Sequence, residues 1–324
     1  MRLVVIDAGG TISASEMGRG YEGAGLTADM LEPVRAIWSQ GPIEVRHAYA
    51  GLSEAMGFDD AIVIIDAIRQ ACDDPSVGAV VIAHGTDAME EVAWLCDLLI
   101  QTVKPVLFTG AQRTPDAPDF DGWRNLGDAV RVAARPMSTG VLIVFGGLVL
   151  TAVQARKVHA QALAAFGPGA AVVGRVDDSG VRMSKTPRRV QGLECARPCP
   201  SIEIVTLGMG TGPGLVDAAI ALPTRGLILQ AMGCGNASAG VVAAVGRATA
   251  AGLLVGVVTG CFEGRAVAVY ESGLRLAEAG SIVMDDLDAR RARILLACAL
   301  GDDRGPDAAA MRLRQALSQL RRAG

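Results

Sequence analysis

The chain has 324 residues, of which 51% are apolar and 20% are charged, enough apolar material for the cores of two ordinary domains. Its formal net charge of -4 is not gathered into blocks of like charge, so neither nucleic acid nor an anionic membrane is an expected partner. The first apolar run reaches Asp7 too early for a signal peptide, and we expect a cytoplasmic globular protein.

Short apolar runs alternate with segments of helical periodicity through the first half of the chain. This alternation predicts an α/β domain with a mostly parallel, flavodoxin-like sheet flanked by helices. The predicted strands are residues 3–6, 44–47, 79–83, 105–109 and 140–145, and the predicted helices include 59–72 and 88–99.

Residues 184–200 interrupt this pattern with prolines and few apolar side chains, which predicts a linker. It would join a larger N-terminal domain, 1–183, to a smaller C-terminal α/β domain, 201–324. Cys195 and Cys199 have no second Cys or His pair nearby to complete a zinc site, so we interpret this stretch as exposed and expect no metal.

The first candidate motif is GGTIS, residues 9–13, directly after a predicted strand. Two glycines permit a tight turn that delivers Thr11 at the sheet edge, and the glycine-rich stretch up to residue 25, which carries Tyr21, is typical of a mobile lid. A dinucleotide phosphate loop is the alternative interpretation. The G-x-G-x-x-G fingerprint is absent, however, and no cofactor is expected.

The second motif is HGTD, at the end of the strand predicted over 79–83. Asp87 is placed to cap the following helix, with Glu90 three residues later completing a capping box. Thr86 would be a second hydroxyl at the same edge of the sheet as Thr11. His84 has no metal-ligand partners nearby and is interpreted as structural.

Lysine is rare in this chain: only Lys104, Lys157 and Lys185 occur among 30 basic residues. Arginine keeps its proton, whereas a buried lysine is able to lose it and act as a base for a threonine hydroxyl. Lys157 is the candidate for this role. A lysine that faces solvent is the alternative, and the sequence alone does not bring Lys157 to Thr86.

These motifs together resemble the bacterial-type L-asparaginase family. The resemblance rests on DAGGTIS, on VVIAHGTDAMEEVAWLCDLLI and on KPVLFTGAQRTPDAPDFDGWRNLGDAV, weakens through the linker and returns at LDARRARILLACAL. It implies that Thr11 is the nucleophile, supported by Tyr21, and that Thr86, Asp87 and Lys157 form a second triad.

The resemblance also implies a set of substrate contacts. Ser53, in GLSEAM, would bind the α-carboxylate of an amino acid, Asp87 and Glu54 would lie at its α-ammonium group, and the main chain of Ala111 would touch its side-chain amide. Glu54 stands where many members carry Gln, and some members with Glu there also accept glutamine.

A further implication concerns assembly. Asn236 or Ser238, in GCGNAS, and Glu271, in YESG, would face the site of a neighbouring subunit. The expected assembly is a homo-oligomer, either a tetramer or a dimer of the intimate type.

Three departures from the family pattern leave every reacting group in place. Asp7-Ala8 replaces a small residue and Thr before the two glycines, Ala88 stands where Thr is usual, and Gln112 replaces a common Met.

The expected function is hydrolysis of the side-chain amide of L-asparagine to L-aspartate and ammonia through a threonine acyl-enzyme, as in asparagine catabolism. One alternative is a dual glutaminase-asparaginase. A second is an asparaginase-like subunit of a tRNA-dependent amidotransferase, which has a tRNA-binding partner and an extra N-terminal domain; an acidic chain that starts on its first strand makes this the weaker interpretation. A third is a non-catalytic protein that binds an amino acid in the same crevice.

Overall fold

A computed structural model describes the chain except for residues 17–20, 24, 28, 136–139, 186–191 and 324. The chain divides into two compact units, Met1–Gly192 and Leu193–Gly324. No helix in the described ranges has both the length and the apolar character that crossing a bilayer requires.

The first unit is built around one large sheet. Its strands are β1 (Arg2–Ala8), β2 (Ala14–Glu16), β3 (Tyr21–Gly23), β4 (Ile43–His47), β5 (Val77–His84), β6 (Val106–Thr109), β7 (Val141–Phe145), β8 (Leu148–Thr151), β9 (Arg156–Lys157), β10 (Phe166–Gly167), β11 (Val172–Asp177) and β12 (Gly180–Met183). Its helices are α1 (Glu32–Arg35), α2 (Phe58–Asp73), α3 (Met89–Leu99) and α4 (Gly122–Ala133).

Eight of these strands pair in the order β12-β11-β8-β7-β6-β5-β1-β4. Strands β7, β6, β5, β1 and β4 pair with one another in parallel, whereas β8 is antiparallel to both β7 and β11, and β11 is antiparallel to β12. The predicted α/β architecture with a mostly parallel sheet is therefore confirmed.

Apolar residues on both faces of the central strands explain why helices cover the sheet on both sides. In β5 every residue except Gly78 is buried, and its Val and Ile side chains suit a central strand. Val81 shares one apolar core with Leu126 and Val130 of α4. Its neighbours along β5 point to the opposite face, because side chains alternate along a strand.

The order of the strands also locates a crevice. The chain runs from β1 to β4 on one side and then crosses to β5 on the other side of β1. Such a reversal opens a gap beyond the carboxyl ends of the strands, where parallel α/β sheets bind their ligands. The loops after β1 and β5 border that gap.

The second unit has its own parallel sheet. Its strands are β13 (Ile202–Thr206), β14 (Gly226–Ala231), β15 (Leu254–Thr259) and β16 (Ile282–Val283), paired in that order. Its helices are α5 (Gly214–Ala221), α6 (Ala239–Ala250), α7 (Glu271–Glu278), α8 (Ala289–Leu300) and α9 (Pro306–Ala323).

Two cysteines of the predicted linker correct the expectation of an exposed segment. Cys195 and Cys199 are both buried. The Cys199 amide donates to the Ala297 carbonyl at 2.9 Å, and a Cβ atom on Gly301 would lie 2.4 Å from Cys195 Sγ, so this part of the chain packs against α8 and its C-terminal end. The sequence pattern did not indicate this packing, because it depends on main-chain and thiol contacts rather than on a run of apolar side chains.

Candidate active site

Three loops meet at the carboxyl ends of β1, β4 and β5. Gly10 has a φ of 86°, and a Cβ atom there would lie 2.2 Å from the Gly85 Cα atom. The Gly10 amide donates to the Gly51 carbonyl at 2.9 Å. Because glycines allow the backbones to touch, the residues that follow them, Thr11 and Thr86, are delivered to one crevice.

The two threonines occupy different surroundings. Thr11 is half-buried and begins a short 3-10 turn, Thr11–Ser13. Thr86 is buried, and its hydroxyl oxygen lies 2.7 Å from the Lys157 Nζ atom. The lysine, some 70 residues away along the chain, is thus brought to the strand end that the HGTD motif follows.

Lys157 also pairs with a carboxylate. Its Nζ atom lies 2.7 Å from Asp87 Oδ1, and its main-chain N–H donates to the Glu90 carboxylate. The lysine side chain is 16% exposed and that of Asp87 is 57% exposed. Lys157 Nζ is therefore in contact with a carboxylate as well as with the Thr86 hydroxyl.

This ion pair corrects the capping prediction. Helix α3 begins at Met89, and its N-cap residue is Ala88, which makes no side-chain hydrogen bond that caps the helix. The Asp87 carboxylate binds Lys157 instead, and the Glu90 carboxylate accepts the main-chain N–H of Lys157. A contact with a residue far along the chain has replaced the local pattern that the sequence favoured.

Gln112 holds the Thr86 hydroxyl from the other side. The hydroxyl donates to Gln112 Oε1 at 3.1 Å, while Gln112 Nε2 donates to the carbonyls of Ala160 and Ala162 at 3.2 and 3.3 Å. One amide side chain therefore joins Thr86 to the segment that follows Lys157.

Asp121 and Asn125 support this arrangement, and sequence reasoning assigned neither a role. Asp121 accepts the main-chain N–H groups of Gln112 and Arg113, and Asn125 donates to the Gly110 carbonyl at 3.0 Å. Both belong to DGWRN, at the start of α4, where the Asp position before a helix was the available signal. Ala111 lies buried within the same loop.

Ser53 faces the HGTD loop. Its hydroxyl is buried and accepts the N–H groups of Asp87 at 3.2 Å and Ala88 at 3.4 Å. Since both neighbours donate, the hydroxyl hydrogen of Ser53 is available to donate to a bound acceptor. The adjacent Glu54 is exposed.

His84 is buried completely at the end of β5. Its Nδ1 atom lies 2.8 Å from the Gly85 carbonyl, and its ring packs 5.9 Å from that of Phe108. Burial lowers the pKa of His84 to about 4, so the imidazole is neutral near pH 7. The surroundings agree with the structural interpretation of this residue.

Tyr21 is placed only by its backbone. It pairs with Glu16 in the β2–β3 hairpin. Residues 17–20 and 24, which the sequence assigned to the lid, lie outside the described residues, as does the Tyr21 side chain.

The remaining site candidates lie in the second unit. Asn236 Oδ1 accepts the hydroxyl of Ser272 at 3.2 Å, which places Asn236 beside the start of α7, where Glu271 is 79% exposed and pairs with Arg275. Ser238 is exposed and precedes α6. These residues occupy one region of the second unit.

The protein is an α/β protein of two units. A hydroxyl, an amine and a carboxylate are in contact at the point where the strand order of its large sheet reverses. Family models match both units: Asparaginase, N-terminal, matches residues 2–189, and Glutaminase/Asparaginase C-terminal domain matches residues 201–312. The chain belongs to the asparaginase family of amidohydrolases.

Individual relatives fall into two groups. The chain is 28% identical to an L-asparaginase of Bacillus licheniformis over 307 residues, covering 92% of this chain and 95% of that protein. It is 30% identical to a glutamyl-tRNA(Gln) amidotransferase subunit of Metallosphaera sedula over 320 residues, covering 93% of this chain and 72% of that protein. The structure of the thermostable L-asparaginase from Thermococcus kodakarensis superposes with a TM-score of 0.86 at 26% identity and covers 98% of both chains.

Proposed function

We propose that the protein hydrolyses the side-chain amide of L-asparagine to L-aspartate and ammonia. The observation that carries this proposal is the contact of Lys157 Nζ with both Thr86 Oγ1 and Asp87 Oδ1, each at 2.7 Å. A hydroxyl, an amine and a carboxylate in direct contact are the groups that acyl transfer from an amide requires.

The proposed reaction has two halves. Thr11 Oγ attacks the amide carbon, its proton passes to the Thr86–Lys157 pair, and the C–N bond breaks as ammonia leaves with a proton. Water then hydrolyses the resulting ester to release aspartate and regenerate the Thr11 hydroxyl. Main-chain N–H groups of the glycine-rich loops would stabilise the oxyanion, a contribution worth about 100- to 1000-fold per donor.

The α-amino and α-carboxylate groups of the substrate supply specificity in this proposal. The Ser53 hydrogen would donate to the carboxylate, and Asp87 and Glu54 would attract the ammonium group. Ala111 would contact the side-chain amide, and Tyr21 would support Thr11. These assignments follow the family motifs position by position.

Two related activities remain as candidates because specific features favour them. The exposed carboxylate of Glu54 favours some turnover of glutamine, as in a dual glutaminase-asparaginase. Similarity to the Metallosphaera sedula protein, at 30% identity, favours an amidotransferase subunit with a tRNA-binding partner. Each of these two activities predicts a different pattern of ammonia release from free amino acids.

The experiment measures ammonia release by the purified protein from L-asparagine, L-glutamine and L-aspartate. We expect fast release from asparagine, and Lys157→Met lowers kcat at least about 100-fold because the base is lost. Lys104→Met is the matched control, since Lys104 is also a partly buried lysine but binds the Asp74 carbonyl at 2.5 Å instead.

Other outcomes separate the alternatives. Binding of asparagine without ammonia release would indicate a binding protein, and release that requires a tRNA-binding partner would indicate an amidotransferase subunit. An unchanged rate in Lys157→Met would contradict the proposed chemistry.

A further inference from the structure

Asp7 is a buried carboxylate just before the glycines of the GGTIS motif. It is 1% exposed, and within the described part of the chain its two oxygens contact three groups. Oδ1 accepts the Gly9 N–H at 3.1 Å, while Oδ2 accepts the Leu26 N–H at 2.7 Å and lies 2.9 Å from His47 Nδ1. Since a buried polar group without partners is costly, these three contacts account for an aspartate side chain in this buried position.

The donors come from three places along the chain that matter for the site. Gly9 begins the segment that carries Thr11, and Leu26 lies where that segment returns to the sheet. His47 ends β4, from which the chain proceeds to Ser53. One side chain thus binds Gly9 and Leu26, hereafter the two ends of the Thr11 loop, beside the neighbouring strand β4.

The Asp7 main chain adds to the same junction. Its carbonyl accepts the Ala48 N–H at 2.9 Å, just after His47. Ile12, the residue after Thr11, is buried in the same apolar cluster as Leu26. A shift of Leu26 would therefore be felt beside Thr11.

Gly25 shows how closely the returning chain approaches Asp7. Its φ is 85°, and a Cβ atom there would lie 3.2 Å from Asp7 Oδ2. The close approach of the backbone leaves little room for a side chain.

We propose that Asp7 is a positioning residue that holds the two ends of the Thr11 loop, so that Thr11 meets the substrate amide in a reactive geometry. This inference rests on the proposed function. Asp7 itself touches neither substrate nor Thr86; it acts through Gly9 and Leu26. A misplacement of about 1 Å is enough to cost about 100-fold in rate.

The chemistry of the side chain explains why an amide would not suffice. A carboxylate presents two acceptor oxygens, whereas an Asn side chain presents one oxygen and one donor group. In Asp7→Asn the NH₂ group would face either the Gly9 or the Leu26 N–H, and one buried donor would lose its acceptor.

The test compares wild type, Asp7→Asn and a matched control, Asp128→Asn, which changes another buried aspartate of the same unit. Hydrogen exchange followed by mass spectrometry reads the Gly9 and Leu26 amides, and steady-state kinetics read kcat and KM separately. For Asp7→Asn we expect exchange to accelerate at least about 10-fold at whichever of the two amides loses its acceptor, and kcat to fall about 10- to 100-fold with KM within about threefold. Asp128→Asn should leave both readouts near wild type.

If Asp7→Asn does not fold, a milder variant still tests the inference. His47 is largely exposed, and His47→Ala removes one of the three donors while leaving both loop amides on Asp7. It should accelerate Leu26 exchange and lower kcat in the same direction by a smaller factor, about two- to fivefold.

The outcomes distinguish this inference from the proposed function. A wild-type protein that releases no ammonia from asparagine contradicts the proposed function, and the exchange comparison then decides by itself whether Asp7 holds the loop. Unchanged exchange at both Gly9 and Leu26 overturns the inference, and so does faster exchange in an active protein whose kcat is unchanged.

Discussion

The Thr86 hydroxyl lies between two partners that determine the direction in which its hydrogen points. Lys157 Nζ lies on one side at 2.7 Å, and Gln112 Oε1 lies on the other at 3.1 Å. An ammonium group has only donors, so a protonated lysine leaves the hydroxyl hydrogen to Gln112. Transfer of the Thr86 proton to Lys157 requires the neutral amine form of the lysine, with the hydroxyl hydrogen turned from Gln112 toward Nζ.

We predict a modest loss on changing Gln112. Gln112→Leu keeps much of the side-chain volume but removes the acceptor for Thr86 and the donor to Ala160 and Ala162. The bond to the Thr86 hydroxyl, like other neutral hydrogen bonds, contributes about 0.5–1.5 kcal/mol, so its loss should lower kcat/KM about 2- to 13-fold. Steady-state kinetics with asparagine measure this loss. A decrease as large as that of Lys157→Met would show that Gln112 takes part in the proton transfer itself.

The burial of His84 predicts that the folded protein loses stability at acid pH. Its pKa is about 4 in the folded protein because of burial, against an ordinary value of 6.5. Between these pH values the unfolded chain binds more protons, so stability is complete above about pH 6.5 and falls as the pH drops toward 4. The full loss amounts to about 3 kcal/mol.

Chemical denaturation at pH 7.5 and pH 4.5 checks this expectation. Wild type should lose about 2–3 kcal/mol more between the two conditions than His84→Asn, which has no imidazole to protonate. The variant at pH 7.5 gives the packing cost separately. Equal pH dependence in the two proteins would exclude His84 as the source.

At the scale of elements, the crevice depends on glycines that let loops touch. Gly10→Ala would place a methyl group 2.2 Å from the Gly85 Cα atom and would also strain a backbone with φ of 86°. We expect the loops of Thr11 and Thr86 to separate, with kcat reduced at least about 100-fold.

Gly252→Ala is the matched control for backbone strain. Gly252 has a φ of 90°, but nothing lies within 4 Å of the place where its methyl group would stand. Both variants should lose about 1–2 kcal/mol in thermal unfolding from the φ preference, and the clash adds to this loss in Gly10→Ala. Equal activity in the two would show that the contact with Gly85 is not needed.

The elements themselves were predicted more easily than their ends. Periodicity indicated residues 79–83 for the strand Val77–His84 and 59–72 for the helix Phe58–Asp73, because burial of one face leaves a local pattern. The helix predicted over 88–99 is Met89–Leu99, but Asp87 pairs with Lys157 and is not its N-cap residue. A local capping pattern carries no information about a partner some 70 residues away.

For the molecule as a whole, the sequence motifs indicated the candidate reacting residues but not the residues that hold them in place. Thr86 and Lys157 stood out by residue type, whereas the contacts of Asp7, Asp121 and Asn125 depend on how separate loops pack. Buried polar residues of this kind look like ordinary surface residues in a sequence, because the donors that justify their burial are distant along the chain.

We predict that the protein is a homo-oligomer, in line with the family resemblance, with Asn236, Ser238 and Glu271 of one copy contributing to the site of another. Light scattering on the purified protein measures the assembly, with a dimer or tetramer expected. A fully active monomer would contradict the shared site.

The proposed reaction proceeds through an ester on Thr11. The decisive test compares ammonia release from L-asparagine by wild type and by Thr11→Val. The variant lacks the nucleophile but keeps nearly the same shape, so its kcat should fall at least about 1000-fold while its thermal unfolding stays near that of wild type. A folded Thr11→Val protein that releases ammonia at a rate close to wild type would contradict the account.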